Sequence, residues 1–166
     1  MIWFVVITVV VIALIVGPVM TMRPDPAQKN REKMRTLASA AGIRFTIKKL
    51  PKQAAEIDNP EPVSVYFFAP TGPQAGDDWL LLRAIYPHEI LYLRGWEWQG
   101  DTRAATAEQE VLKKYLPELP EGVRGVSAGS QGICVYWNEK GGEVALEKVI
   151  ALLQALKALQ VQAIDL

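Results

Sequence analysis

The chain is poor in the residues that most catalytic and metal sites require. Among 166 residues it holds one cysteine, Cys134, and one histidine, His88. A lone cysteine has no partner for an intramolecular disulfide, so nothing points to an oxidising compartment. One histidine with one cysteine cannot supply a zinc-type ligand set. A Ser-His-Asp or Cys-His site would have to use His88, which sits in the proline-bounded turn Pro87-His88-Glu89 and reads as a solvated turn residue. Cys134, within Ile133-Cys134-Val135, reads as a small buried hydrophobe. There is no phosphate-binding glycine motif, and Gly129-Ser130-Gln131-Gly132 is explained by a hairpin turn. Internal repeats and low-complexity tracts are also missing. No cofactor and no metal is implied.

Charge is missing from the opening. Ile2 to Met20 is a run of nineteen residues with Thr8 as its only polar side chain, and the first charge is Arg23. As a helix this run rises roughly 30 Å, the thickness of a bilayer core. It predicts a transmembrane anchor over residues 1–22. A cleaved secretory signal fits less well, because no basic residue precedes the run and no small-x-small site follows it. Basic residues come only after the run, at Arg23, Lys29, Arg31, Lys33 and Arg35. The positive-inside rule then predicts a single-pass protein of a bacterial inner membrane, with its N-terminus outside and its C-terminal domain in the cytoplasm. Ala13 and Gly17 make a small-xxx-small pair that could pack two spans together.

The formal net charge of zero hides a division along the chain. Residues 23–52 carry nine basic and two acidic side chains, and the remainder is acidic. The expected arrangement is a basic juxtamembrane helix over 23–42 and a cytoplasmic α+β domain over 43–166. Arg23, Lys29, Arg31, Lys33 and Arg35 are its candidate lipid-facing patch. The acidic remainder opposes nucleic-acid binding. The expected partners are therefore the lipid bilayer and another membrane protein, with no nucleic acid.

Asp25-Pro26 opens a helix running to about Ala41, where Gly42 ends it. Ile43 to Lys48 alternates strictly, with Ile43, Phe45 and Ile47 on one face, and predicts a half-buried strand. Strands are expected at 63–68, 79–86, 90–98, 122–128 and 132–137, several joined by hairpins. Helices are expected at 101–116, with a capping box from Thr106 and Gln109, and at 143–160. The whole predicts an α+β domain of about six largely antiparallel strands and three helices behind the anchor.

Few side chains stand out as a site. Tyr92, Arg94, Trp96 and Trp98 share one face of a strand and form a candidate partner surface. Asp77, Asp78, Glu118 and Glu121 are the carboxylates that a sugar hydrolase would have to bring together, and nothing marks a pair among them. The opening, with Arg23-Pro24 and Gln28-Lys29-Asn30-Arg31 after the apolar run, resembles that of the bacterial translocase accessory subunit YajC. The resemblance covers about fifteen residues. It lacks the glycine-rich turn and small β domain of that family, and no site residue is implied by it. The chain as a whole resembles small single-span inner-membrane proteins of bacteria. The expected function is a non-enzymatic accessory or scaffold protein, anchored in the membrane and binding a protein partner. The alternative is a membrane-tethered sensor domain that binds a ligand or lipid in an apolar pocket.

Overall fold

A computed structural model describes residues 1–21, 25–53, 61–70, 78–85, 92–93 and 95–164, with the side chains of 15–21 and 163–164 left out. Two compact units divide the chain, Met1–Glu32 and Lys33–Leu166. The division falls inside a helix, whereas the expected boundaries at 22 and 42 coincide with segment ends.

The first unit opens with helix α1 (Ile2–Thr21). It is apolar all round, and its described side chains are exposed, Trp3 and Phe4 each by 80%. Thr8 satisfies its own hydroxyl by donating to the Phe4 carbonyl at 2.8 Å. Among the described residues, no helix is long and apolar enough to cross a membrane. This overturns the expected transmembrane anchor over residues 1–22. The single-pass inner-membrane placement, with its outside N-terminus and cytoplasmic domain, falls with it. Ala13 is exposed, and Gly17 lies outside the described side chains.

Helix α2 (Pro26–Ala40) starts as its sequence requires. The Asp25 carboxylate accepts from the Ala27 N–H at 3.2 Å, and proline occupies the first helical position. Gly42 ends it at φ +77°, where the Ile43 N–H returns to the Ala38 carbonyl at 3.0 Å. Met34 and Ala38 are buried, one turn apart.

The second unit is an α+β domain built on one six-stranded sheet. Its strands are β1 (Arg44–Lys48), β2 (Val63–Phe68), β3 (Trp79–Arg83), β4 (Trp96–Gln99), β5 (Val123–Gly129) and β6 (Gly132–Trp137). Their order across the sheet is β1-β2-β6-β5-β3-β4, and every pair is antiparallel. Helix α3 (Thr106–Tyr115) and a short 3-10 turn (Leu116–Glu118) lie between β4 and β5, and helix α4 (Gly142–Ile164) comes after β6. Counting α1, the described residues form four α-helices. The α+β class and the antiparallel sheet agree with the sequence reading, and the membrane-spanning helix ahead of them does not.

Two-residue periodicity sets the faces. Tyr66, Phe68, Trp79, Leu81, Val126, Ala128, Ile133, Val135 and Trp137 join Met34, Ala38, Leu112, Leu116 and the α4 stripe of Leu146, Val149, Leu152, Leu153 and Leu156 in one core. The next residues along the strands, among them Val65, Leu82 and Cys134, point the other way and are buried too.

Two details correct the sequence reading of α3. Its N-terminal carboxylate is Glu108, which accepts from the Ala105 N–H at 3.1 Å; the expected Thr106–Gln109 box is displaced by one residue. Gln109 instead donates to the Ala104 carbonyl at 2.8 Å. Glu108 also accepts from the Trp79 indole at 2.9 Å, so one carboxylate caps the helix and ties it to β3. The expected turn at Pro87-His88-Glu89 lies outside the described residues, as do residues 90, 91 and 94 of the strand expected after it.

Candidate functional site

The two ends of the sheet differ. At β4, the Trp96 carbonyl accepts from the Tyr92 N–H at 2.8 Å and the Trp96 N–H donates to the Leu93 carbonyl at 2.9 Å. A turn of the same chain thus occupies part of that edge. At the other end, β1 pairs with β2 alone, from Arg44 opposite Phe67 to Lys48 opposite Val63. Among the described residues no strand covers its outer side. Every second residue of β1 therefore turns its backbone N–H and C=O away from the sheet.

The alternation of β1 gives this edge two unlike rims. Arg44 and Lys48 lie on the rim away from the helices, on either side of Thr46. Lys48 donates to the Gln131 side chain in the β5–β6 turn. Phe45 and Ile47 lie on the helix side. The sequence predicts Ile43, Phe45 and Ile47 as one inward face, but burial falls off along it. Ile43 is buried, Phe45 is half-buried and Ile47 is 59% exposed. The face runs out from under the helices as the strand proceeds.

Beneath the edge sits a polar network that holds β1 and β2 in place. The Phe45 ring packs edge-on to Tyr66 at 5.7 Å, and Tyr66 packs on Trp137 at 5.6 Å. The Arg35 guanidinium lies 4.0 Å above the Phe45 ring. Arg35 also donates to both oxygens of Glu139, from Nε and from Nη2, each at 2.8 Å. The Tyr66 hydroxyl donates to Glu139 Oε1 at 2.8 Å. Glu139 is only 7% exposed and has a positive φ of 60°. No other non-glycine residue among those described has one.

The electrostatics arise from these contacts. Burial pushes the Glu139 carboxyl up, but the hydrogen bonds from Arg35 and Tyr66 outweigh it and hold the group below its ordinary value. Burial, then the hydrogen bond to Glu139, pushes the Tyr66 phenol well above its usual range. The hydrogen bond to Glu139 raises Arg35. With its oxygens taken up by Arg35 and Tyr66, Glu139 acts as a clasp between α2, β2 and the turn before α4.

The other expected site residues are dispersed. Trp96 is interior, 2% exposed, with the Arg83 guanidinium 4.8 Å above its ring. Arg83 is itself engaged, donating to the carbonyls of Val123 at 2.9 Å and Pro120 at 3.2 Å; burial lowers its pKa. Tyr92 and Trp98 do meet, with ring centres 4.8 Å apart, but they are half-buried and pack on with Trp79 at 5.6 Å. The four-residue partner surface expected there is thus largely a packing cluster, and Arg94 lies outside the described residues.

The candidate basic patch is divided as well. Lys33 pairs with Glu143 and Arg35 with Glu139, Lys29 and Arg31 are exposed, and Arg23 lies outside the described residues. Two of the five expected lipid-facing side chains are thus held by carboxylates of the second unit.

The carboxylates do not converge. Asp78 accepts from the N–H of Ser130 at 2.6 Å and from its hydroxyl at 2.9 Å, at one end of β5. Glu118 and Glu121 are exposed before its other end, roughly 20 Å away by strand rise. Asp77 lies outside the described residues. Among the described residues no group of three His, Cys, Asp or Glu side chains could hold a metal ion. Cys134 is buried, and that burial raises its thiol pKa.

Sequence reasoning missed both the Arg35–Glu139 clasp and the open edge. Glu139 reads as a turn residue because its partners Arg35 and Tyr66 lie 104 and 73 positions away. Ile47 carries a usable signal, a hydrophobe at the end of an amphipathic strand with Lys48 and Lys49 beside it. No family model, curated protein or solved structure matches the chain, so no residue role is carried over from a relative.

Proposed function

We propose that this chain is a non-enzymatic accessory or scaffold protein whose α+β domain binds a protein partner. The observation that carries the reading is the open β1 edge. It presents backbone hydrogen-bonding groups and an Ile47 side chain that is 59% exposed, on a strand braced from beneath by Phe45, Tyr66, Arg35 and Glu139. A braced edge that no described strand covers is a preformed surface for another chain. Among the described residues, three groups that could perform chemistry are used to hold the fold, which supports the same reading. Glu139 binds Arg35 and Tyr66, Asp78 binds the β5–β6 turn, and Arg83 binds three backbone carbonyls. A hydrolase would need two carboxylates at one cleft, and Asp78 stands at the opposite end of β5 from Glu118 and Glu121.

The test is isolation of the tagged full-length chain at its natural abundance, with the mass of the recovered species measured. A stoichiometric complex with one other protein is expected. Recovery of the chain alone, from cells where it is functional, overturns the proposal.

A further inference from the structure

Deepening that reading, and resting on it, we infer that the partner contributes an extended segment of alternating acidic and apolar residues, which adds to the sheet as a seventh strand along β1. The two rims of the strand specify this chemistry. On the rim away from the helices, Arg44 and Lys48 flank Thr46 two residues to either side. A strand laid beside β1 places every second side chain on that rim, where carboxylates pair with the two cations. Its remaining side chains fall on the helix-side rim, beside exposed Ile47 and half-buried Phe45. Apolar residues there bury Ile47, and the main-chain ladder supplies the rest of the affinity.

The same charges disfavour a second copy of this chain as the occupant. Two β1 strands paired antiparallel about Thr46 would set Arg44 of one copy against Lys48 of the other. Like charges directly opposite destabilise such a pair, a recognised protection of exposed edges. Lys49, also exposed, adds to the repulsion. An acidic strand meets attraction at the same positions. The edge is thereby closed to its own kind and open to one class of partner. A nucleic acid would match the charge but not the backbone ladder or the Ile47 rim.

The experiment uses the full-length chain and two short end-capped probes, one alternating Glu and Val and one alternating Lys and Val. Amide hydrogen exchange and binding affinity are measured at low salt. The Glu–Val probe is expected to slow alternate amides within Arg44–Lys48, leave the Tyr92–Gln99 end unchanged, and bind at least about tenfold tighter than the Lys–Val probe. The doubly reversed variant Arg44→Glu, Lys48→Glu is expected to invert that order. Ile47→Asp, at an exposed position, is expected to weaken the Glu–Val probe by about tenfold without moving the unfolding midpoint. Equal binding of both probes, protection anywhere other than β1, or an affinity unaffected by charge reversal overturns the inference. So does failure of the Glu–Val probe to bind. A stoichiometric cellular partner that still binds the charge-reversed variant leaves the scaffold role standing and removes this edge as its site.

Discussion

Glu139 is the residue on which most of the local structure depends. It is buried, its backbone is in the left-handed region, and its carboxylate is shared by Arg35 and Tyr66. Removing one member of such a pair leaves the others without partners, at several kcal/mol in a fully buried case. Arg35 keeps 34% of its side chain in water, which softens the loss. Glu139→Ala should therefore lower stability by about 2 kcal/mol, measured by urea unfolding. The pH dependence has a definite sign. Glu139 titrates lower in the folded chain than in the unfolded one, so its stabilisation is present at neutral pH. It is lost as pH falls from the usual carboxylate range through the lower folded value. Glu139→Gln should flatten the acid limb of a stability-versus-pH curve. Tyr66 is shifted upward, so its contribution is present below the usual tyrosine range and lost as pH rises beyond it. Tyr66→Phe should flatten the alkaline limb. An unchanged limb in either variant would show that the clasp does not couple to folding.

At the scale of elements, two carboxylates act as ties between neighbours. Asp78, just before β3, holds the Ser130 N–H and hydroxyl at the tip of the β5–β6 hairpin, and a Cβ added at Gly129 would collide with it. Asp78→Ala should cost about 1 kcal/mol and speed exchange of the hairpin-tip amides. Glu108 both caps α3 and receives the Trp79 indole, so Glu108→Ala should cost roughly 1–2 kcal/mol, read from thermal unfolding. Much of this scale is legible in the chain itself. Strand β2 over Val63–Phe68 and the start of α2 at Pro26 stand where alternation and the Asp-Pro cap place them. Less legible are the ends of β3 and α3. Alternation beyond Arg83 carries the expected strand to Tyr86, whereas β3 stops at Arg83, whose side chain is drawn to the Val123 carbonyl. The cap of α3 is displaced because Glu108, not Gln109, has Trp79 within reach.

For the whole molecule, the division at Glu32–Lys33 makes a direct prediction. A chain beginning at Asp25 keeps the cap of α2 and every residue of the sheet. It should unfold within about 0.5 kcal/mol of the full-length protein in urea, because the second unit holds its own core of sheet, α3 and α4. A larger loss would show that α1 supports the domain. The opening run was the plainest sequence feature and the one whose reading changed. Its apolar character is real, but among the described residues no helix is long and apolar enough to cross a membrane.

By itself the sequence determined the local periodicities and their direct consequences: an α+β domain, helices at α2, α3 and α4, and a largely antiparallel sheet. These properties depend on neighbours two to four positions apart, so they can be read along the chain. Only the tertiary structure decided the strand order, and with it that β1 is an open end while a turn folds over part of β4. It also decided that Arg35 finds Glu139 across 104 positions, that Trp96 is core and not surface, and that Ile47 is exposed. Each of these outcomes was selected by which distant surfaces bury one another, and that competition leaves no trace in a spacing of a few residues.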